Sequence, residues 1–183
     1  MGTSSDRAPL PIPADTADLR SGPSLHDACG PLRALVGVWR GDGEVDYPSI
    51  EGPYRFGQQL TISHDGRPFL RHEARAWLLD AAGEVIRPAA WETGWWRPQP
   101  DGTVELLISH CTGILELFYG TAGQQHWELS TDTVVRTASA KDVEAAQRSY
   151  ALNGEGALDY TESRAMVGLP MTPHVAARLN RIV

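Results

Sequence analysis

Lysine is almost absent from this 183-residue chain. Lys141 is the one example, and 16 basic residues face 23 acidic ones, for a formal net charge of −7. Binding to nucleic acid or to an anionic membrane rests largely on cations that neutralise phosphates. An acidic chain with scattered arginines argues against both as partners. Long apolar runs are missing too, and no stretch approaches the roughly 18 residues that cross a bilayer. The opening residues, Met1–Asp6, lack the charged start and apolar run of a signal peptide. Cysteine is scarce: Cys29 and Cys111 are too few for a disulfide framework and make no zinc site by themselves. The expectation is a single-domain cytoplasmic protein, whose hydrophobic content of 42% is enough to bury a sizeable core.

Local chemical motifs are equally sparse. None of His26, His64, His72, His110, His126 and His174 belongs to an HExxH or HxH pair, which leaves no zinc site from local spacing. No GxSxG elbow supports a serine hydrolase. No glycine loop follows a strand and opens a helix to cradle phosphate, and the CxxCH of a covalent c-type haem is missing.

What the chain does contain is a rhythm of short runs and turn residues. Residues 1–23 hold Ala8-Pro9-Leu10-Pro11-Ile12-Pro13 and Ser21-Gly22-Pro23 and read as a flexible N-terminal tail, with the folded domain over 24–183. A short helix is expected from Ser24 as N-cap to about Val36, broken or reduced to two turns by Gly30-Pro31. From Trp39 onward the candidate strands are 39–47, 54–64, 68–79, 84–98, 103–109, 113–119 and 124–130, with two more within 134–166. The clusters 64–67, 80–83, 99–102, 120–123 and 153–156 separate them as hairpin turns, with glycine supplying positive φ. Even strands without long intervening helices predict an antiparallel meander or barrel. The last segment stays ambiguous: Met171, Val175, Leu179 and Ile182 sit at helical spacing, while Val175, Ala177 and Leu179 alternate as a strand does. Small barrels often hold one apolar ligand, so Trp39, Trp77, Trp91, Trp95, Trp96 and Trp127 are candidates for core or for cavity wall.

Five blocks then carry a resemblance. Gly37-Val38-Trp39-Arg40-Gly41-Asp42-Gly43 fits Gly-x-Trp-x-Gly-x-Gly through Gly37, Trp39, Gly41 and Gly43. Tyr47-Pro48-Ser49 is similar to a Tyr-Pro-Thr step, and Glu92-Thr93-Gly94-Trp95-Trp96-Arg97-Pro98 to a Glu-Ser-Gly-Tyr-aromatic-Arg-Pro block. His110-Cys111-Thr112-Gly113 falls at a Gln-x-Thr-Gly step, and Leu169-Pro170-Met171-Thr172-Pro173-His174 matches a C-terminal Pro-Leu/Met-x-x-His. In this order and from Gly37 to His174, the chain resembles the nitrobindin family.

The resemblance implies an all-β fold, a ten-stranded antiparallel β-barrel like those of lipocalins and fatty-acid-binding proteins, with a short N-terminal helix. It implies one non-covalent haem b per chain, with His174 as the axial iron ligand and catalytic centre and the Ser49 hydroxyl in contact with the cofactor. Its activities would be NO binding at ferric iron and isomerisation of peroxynitrite to nitrate. Partners would then be these small molecules, with a homodimer left open. Some family members carry a histidine on the open side of the haem; the matching place here is about Ala90. His110 replaces a family glutamine in a strand facing the pocket and stands as a cofactor-binding candidate, beside its reading as a plain barrel-wall residue. Cys111 should point to the opposite face. Two rival readings remain: an NO or haem carrier or sensor without turnover, and a haem-free barrel for a fatty acid, for which an interior face of Arg55, Arg71, Arg75 and Arg97 would supply the cation.

Overall fold

Burial alternates along most of the chain, and that alternation builds the architecture. In Leu158–Met166 the residues at even positions are buried and those between them are more exposed, the period of a strand with one face on a core. The computed structural model describes residues 11–48 and 50–183. It contains ten strands: β1 (Gly37–Val45), β2 (Tyr54–Ser63), β3 (Leu70–Leu79), β4 (Val85–Pro98), β5 (Thr103–His110), β6 (Ile114–Ala122), β7 (His126–Arg136), β8 (Val143–Leu152), β9 (Leu158–Met166) and β10 (Leu169–Arg181). Each pairs antiparallel with its sequence neighbour, and β10 returns to β1, closing the barrel. Closure leaves few unpaired strand edges.

The C-terminal ambiguity resolves as a strand. β10 fills the place between β1 and β9, so its alternating residues win over the helical spacing. Two other expectations shift. Gly120 lies inside β6 and not in a turn. A side chain there would collide with the Glu128 carbonyl of β7, so this glycine serves close strand approach. β7 also runs on to Arg136, six residues beyond the expected end at Ser130. At true turns the left-handed backbone is present, as at Gly102 with φ +86° after Asp101.

The expected helix is a 3-10 helix, Asp27–Leu35, with Pro31 inside it. The cap is His26 rather than Ser24: its Nδ1 accepts from the Ala28 amide at 3.2 Å. Leu32 and Leu35 are fully buried and plug one end of the barrel. Two indoles fasten the plug. Trp39 Nε1 donates to the Leu35 carbonyl at 2.8 Å, and Trp127 Nε1 to the Pro31 carbonyl at 3.1 Å. The glycines around Trp39 have their own reason. A Cβ on Gly41 or Gly43 would strike the carbonyls of Arg178 and Ala176, so the motif keeps β1 close against β10.

Of the six tryptophans, Trp39, Trp96 and Trp127 are fully buried core, Trp77 is half-buried, and Trp91 and Trp95 face outward. Along β4 the inward positions run Trp96, Glu92 and Ala90, from core through charge to the wall of a cavity. Ahead of the plug, Thr16 and His64 exchange two main-chain hydrogen bonds at 2.8 and 2.9 Å.

Candidate functional site

The cavity has a volume of about 530 Å³, within the range of about 300–1,000 Å³ in which proteins hold small ligands and cofactors. Much of its wall is apolar: Val45, Phe56, Leu78, Ile114, Val143 and Met166 come from six strands. His174 lies in this wall. Pro173 pairs with Ser163 and Val175 with Glu162, so His174 occupies a register irregularity in β10. A bulge of this kind re-aims a side chain, and the missing amide of Pro173 suits it. Burial lowers the His174 imidazolium to about 4, with Glu162 opposing that shift. The ring is therefore neutral, the form that binds a metal. Tyr47 lies beside it, ring centroids 4.3 Å apart at 30°, and Lys141 Nζ donates to the Tyr47 hydroxyl at 3.3 Å.

Deeper in the barrel the wall is ionic. The Arg148 side chain is fully buried and forks onto Glu92, with Nη1 to Oε2 at 2.8 Å and Nη2 to Oε1 at 3.0 Å. Its Nη2 also lies 2.9 Å from Glu162. Arg164 pairs with Glu162 through Nε and with Glu116 at 3.3 Å. Burial alone would raise the carboxyls, but the guanidiniums override it. Arg148 holds Glu92 well below the usual range, and Arg148 with Arg164 brings Glu162 to about 2.

His110 lines the cavity, as expected, and Cys111 is exposed. Both ring nitrogens of His110 face carboxylates: Nε2 lies 2.7 Å from Glu116 and Nδ1 3.4 Å from Glu92. Ala90 lines the cavity as a small side chain at the expected place. Ser49 lies outside the described residues. Gly37, Trp39, Gly41 and Gly43 do not line the cavity; they set the strand pairing behind it.

The arginines expected to face a fatty-acid carboxylate face outward. Arg55, Arg71, Arg75 and Arg97 keep 43–54% of their side chains exposed and pair with surface acids. Phe56, Leu70, His72, Ala74 and Trp96 hold the inward positions beside them. The interior cations are instead Arg148 and Arg164, which sequence reading passed over. Their signal was present in the alternation, since Arg148 shares a face with Tyr150, and Arg164 with Tyr160 and Glu162.

Among the described residues no cluster of three or more His, Cys, Asp or Glu side chains could enclose a bare ion. The His174 imidazole, with His110 held against carboxylates, suits a metal that brings most of its own ligands, as haem iron does. The comparisons agree. The family model described as "THAP4-like, heme-binding beta-barrel domain" matches residues 28–181. This chain belongs to that family. A ferric nitrobindin-like protein of Saccharopolyspora erythraea is 52% identical over 176 residues, covering 95% of this chain and 82% of the relative. Peroxynitrite isomerase 2 of Rhodococcus jostii is 46% identical, covering 95% of this chain and 85% of its own. The crystal structure of Rv2717c from M. tuberculosis superposes with a TM-score of 0.77 at 33% identity, covering 87% of this chain and all of that one (100%).

Proposed function

We propose that the chain holds one haem b through His174 and isomerises peroxynitrite to nitrate. The observation that carries this reading is the His174 imidazole, set by its bulge in the wall of a cavity of about 530 Å³. When bound, ferric haem supplies an open coordination position for NO and for the peroxide bond of peroxynitrite.

The chain's own residues do the rest. His174 presents a neutral nitrogen, and Tyr47 covers the ring. The apolar side chains Val45, Phe56, Leu78, Ile114, Val143 and Met166 would pack against the cofactor. His110 Nε2 is hydrogen-bonded to Glu116 at 2.7 Å and Nδ1 lies 3.4 Å from Glu92, contacts that would hold His110 in the wall and away from a bound iron. Ala90 adds no polar group there. Isomerisation leaves the oxidation state of the whole unchanged, so no external reductant is needed. Ser49 contacts the cofactor in this reading, through the hydroxyl that the family step provides.

The fatty-acid reading loses its cation, because the inward Arg148 and Arg164 are already committed to carboxylates. A cytoplasmic location belongs to the same proposal and is supported by two unpaired thiols, Cys29 and Cys111. Among the described residues no helix is long and apolar enough to cross a membrane. The division of the chain also belongs here, since none of the described residues before 24 lines the cavity. For a homodimer the support is an outward apolar groove of about 480 Å³ that includes Trp95, Leu107, Leu115 and Val135.

Stopped-flow decay of peroxynitrite tests the proposal. The ferric haem-loaded chain should accelerate the decay in proportion to its concentration, with nitrate as the product. Decay no faster than in buffer would remove the isomerase and leave a carrier.

A further inference from the structure

Two tyrosines line the cavity, and their hydroxyls are placed differently. Tyr47 faces a cation, accepting from Lys141. Tyr160 is buried at 4% exposure and donates to Glu162 Oε2 at 2.5 Å. Behind Tyr160 the aromatic contact continues. Tyr150 stacks on it with centroids 4.9 Å apart at 23°, and Trp96 meets Tyr150 edge-on at 5.3 Å. Trp96 Nε1 in turn donates to His72 Nδ1 at 3.2 Å. The column therefore starts in the cavity and ends in the core, and each terminal ring has its own proton acceptor. The peroxynitrite mechanism uses none of these groups.

A buried phenol gives up an electron readily only when its proton can leave at the same time, since a phenol cation in a low-dielectric interior is costly. We propose that Tyr160 is a one-electron redox site of the cavity, taking up nitrogen dioxide that escapes conversion to nitrate. This rests on the peroxynitrite reading, because homolysis of that peroxide bond is the source of nitrogen dioxide. In the first step the Tyr160 ring loses one electron to nitrogen dioxide, which becomes nitrite, and the phenolic proton passes to Glu162. The products are a neutral tyrosyl radical and a protonated carboxyl. A second nitrogen dioxide then bonds to a ring carbon ortho to the oxygen, the hydrogen on that carbon leaves as a proton, and Glu162 returns its proton to the phenolate oxygen. Two nitrogen dioxide molecules and one tyrosine thus give one 3-nitrotyrosine, one nitrite and one proton.

The acid–base setting supports the first step. Glu162 is ionised: burial would raise it, but Arg148 and Arg164 hold it at about 2. Burial pushes the Tyr160 phenol well up, so at rest it keeps its proton. Tyr119 is 45% exposed and alternates outward from the buried Phe118, so nitrogen dioxide reaches it from bulk solvent.

The test mixes the ferric haem-loaded chain with peroxynitrite in excess urate, which removes nitrogen dioxide from bulk solvent. Peptide mass spectrometry locates the nitro group, freeze-quench electron paramagnetic resonance reads the radical, and stopped flow on the same mixture reads the decay. The proposal expects nitration at Tyr160 that survives urate, loss of label from Tyr119, and a tyrosyl signal that disappears in Tyr160→Phe. Accelerated decay with Tyr160 unmodified and no tyrosyl signal overturns it and leaves the isomerase standing. Tyr160 modified without accelerated decay removes the isomerase and, with it, the cavity source of nitrogen dioxide, and overturns the proposal as well. The same radical signal in wild type and in Tyr160→Phe also overturns it.

Discussion

The ring of Tyr47 covers that of His174, with centroids 4.3 Å apart, and the chain's one lysine, Lys141, reaches the Tyr47 hydroxyl. An aromatic contact of this kind contributes about 0.5–1.5 kcal/mol beyond buried area. If the cover steadies the imidazole, Tyr47→Leu should speed haem loss by about 2- to 10-fold. Transfer of haem to an excess of apomyoglobin measures that rate. An unchanged rate would mean that Tyr47 only closes the cavity rim.

Arg148 is the hinge of the interior charges. Its side chain is fully buried between Glu92 and Glu162, with Glu116 at 3.6 Å. Breaking a buried pair by removing one partner costs about 3–5 kcal/mol, because the other charge stays buried. Arg148→Met should therefore lower urea stability by that order. Adding Glu92→Gln and Glu162→Gln to it should recover much of the loss. A loss in Arg148→Met below about 1 kcal/mol, the scale of a surface pair, would contradict a closed interior network.

These two sites show what was readable in advance and what was not. Strand identity followed from alternation and from turn glycines such as Gly102, and the Pro173-His174 block led to the residue in the cavity wall. The ends of β6 and β7 did not follow. Gly120 looks like a turn residue in sequence, while its actual demand is the Glu128 carbonyl on the next strand, a contact no local pattern contains. The interior charges were hidden for a related reason. Charged side chains are expected outside, and that default sent attention to Arg55, Arg71, Arg75 and Arg97, which do lie outside. Arg148 and Arg164 can be buried only because Glu92, Glu116 and Glu162 arrive from other strands, and pairing between distant strands is tertiary information.

His64 gives a pH prediction. It is 2% exposed, and neither ring nitrogen has a hydrogen-bond partner among the described residues. Burial lowers its imidazolium below the ordinary 6.5, helped by Arg33 and opposed by Asp65 and Asp15. A depressed folded value means that the unfolded chain binds the proton more readily. The stability from neutral His64 is thus complete above about pH 6.5 and lost as pH falls through the folded value. His72 is shifted in the same direction, by burial first. Urea midpoints should be lower at pH 5 than at pH 7.5, and His64→Leu should narrow that difference. An equal difference in both proteins would show that His64 takes no part.

The account rests on His174 as the iron ligand, and a haemin titration of three samples tests it: wild type, His174→Gly, and His174→Gly with added imidazole. Wild type should give a sharp Soret band at one haem per chain. His174→Gly should bind weakly with an altered band, and free imidazole entering the vacated space should restore the wild-type spectrum. A His174→Gly protein that binds haemin with wild-type affinity and an unchanged Soret band would contradict the account.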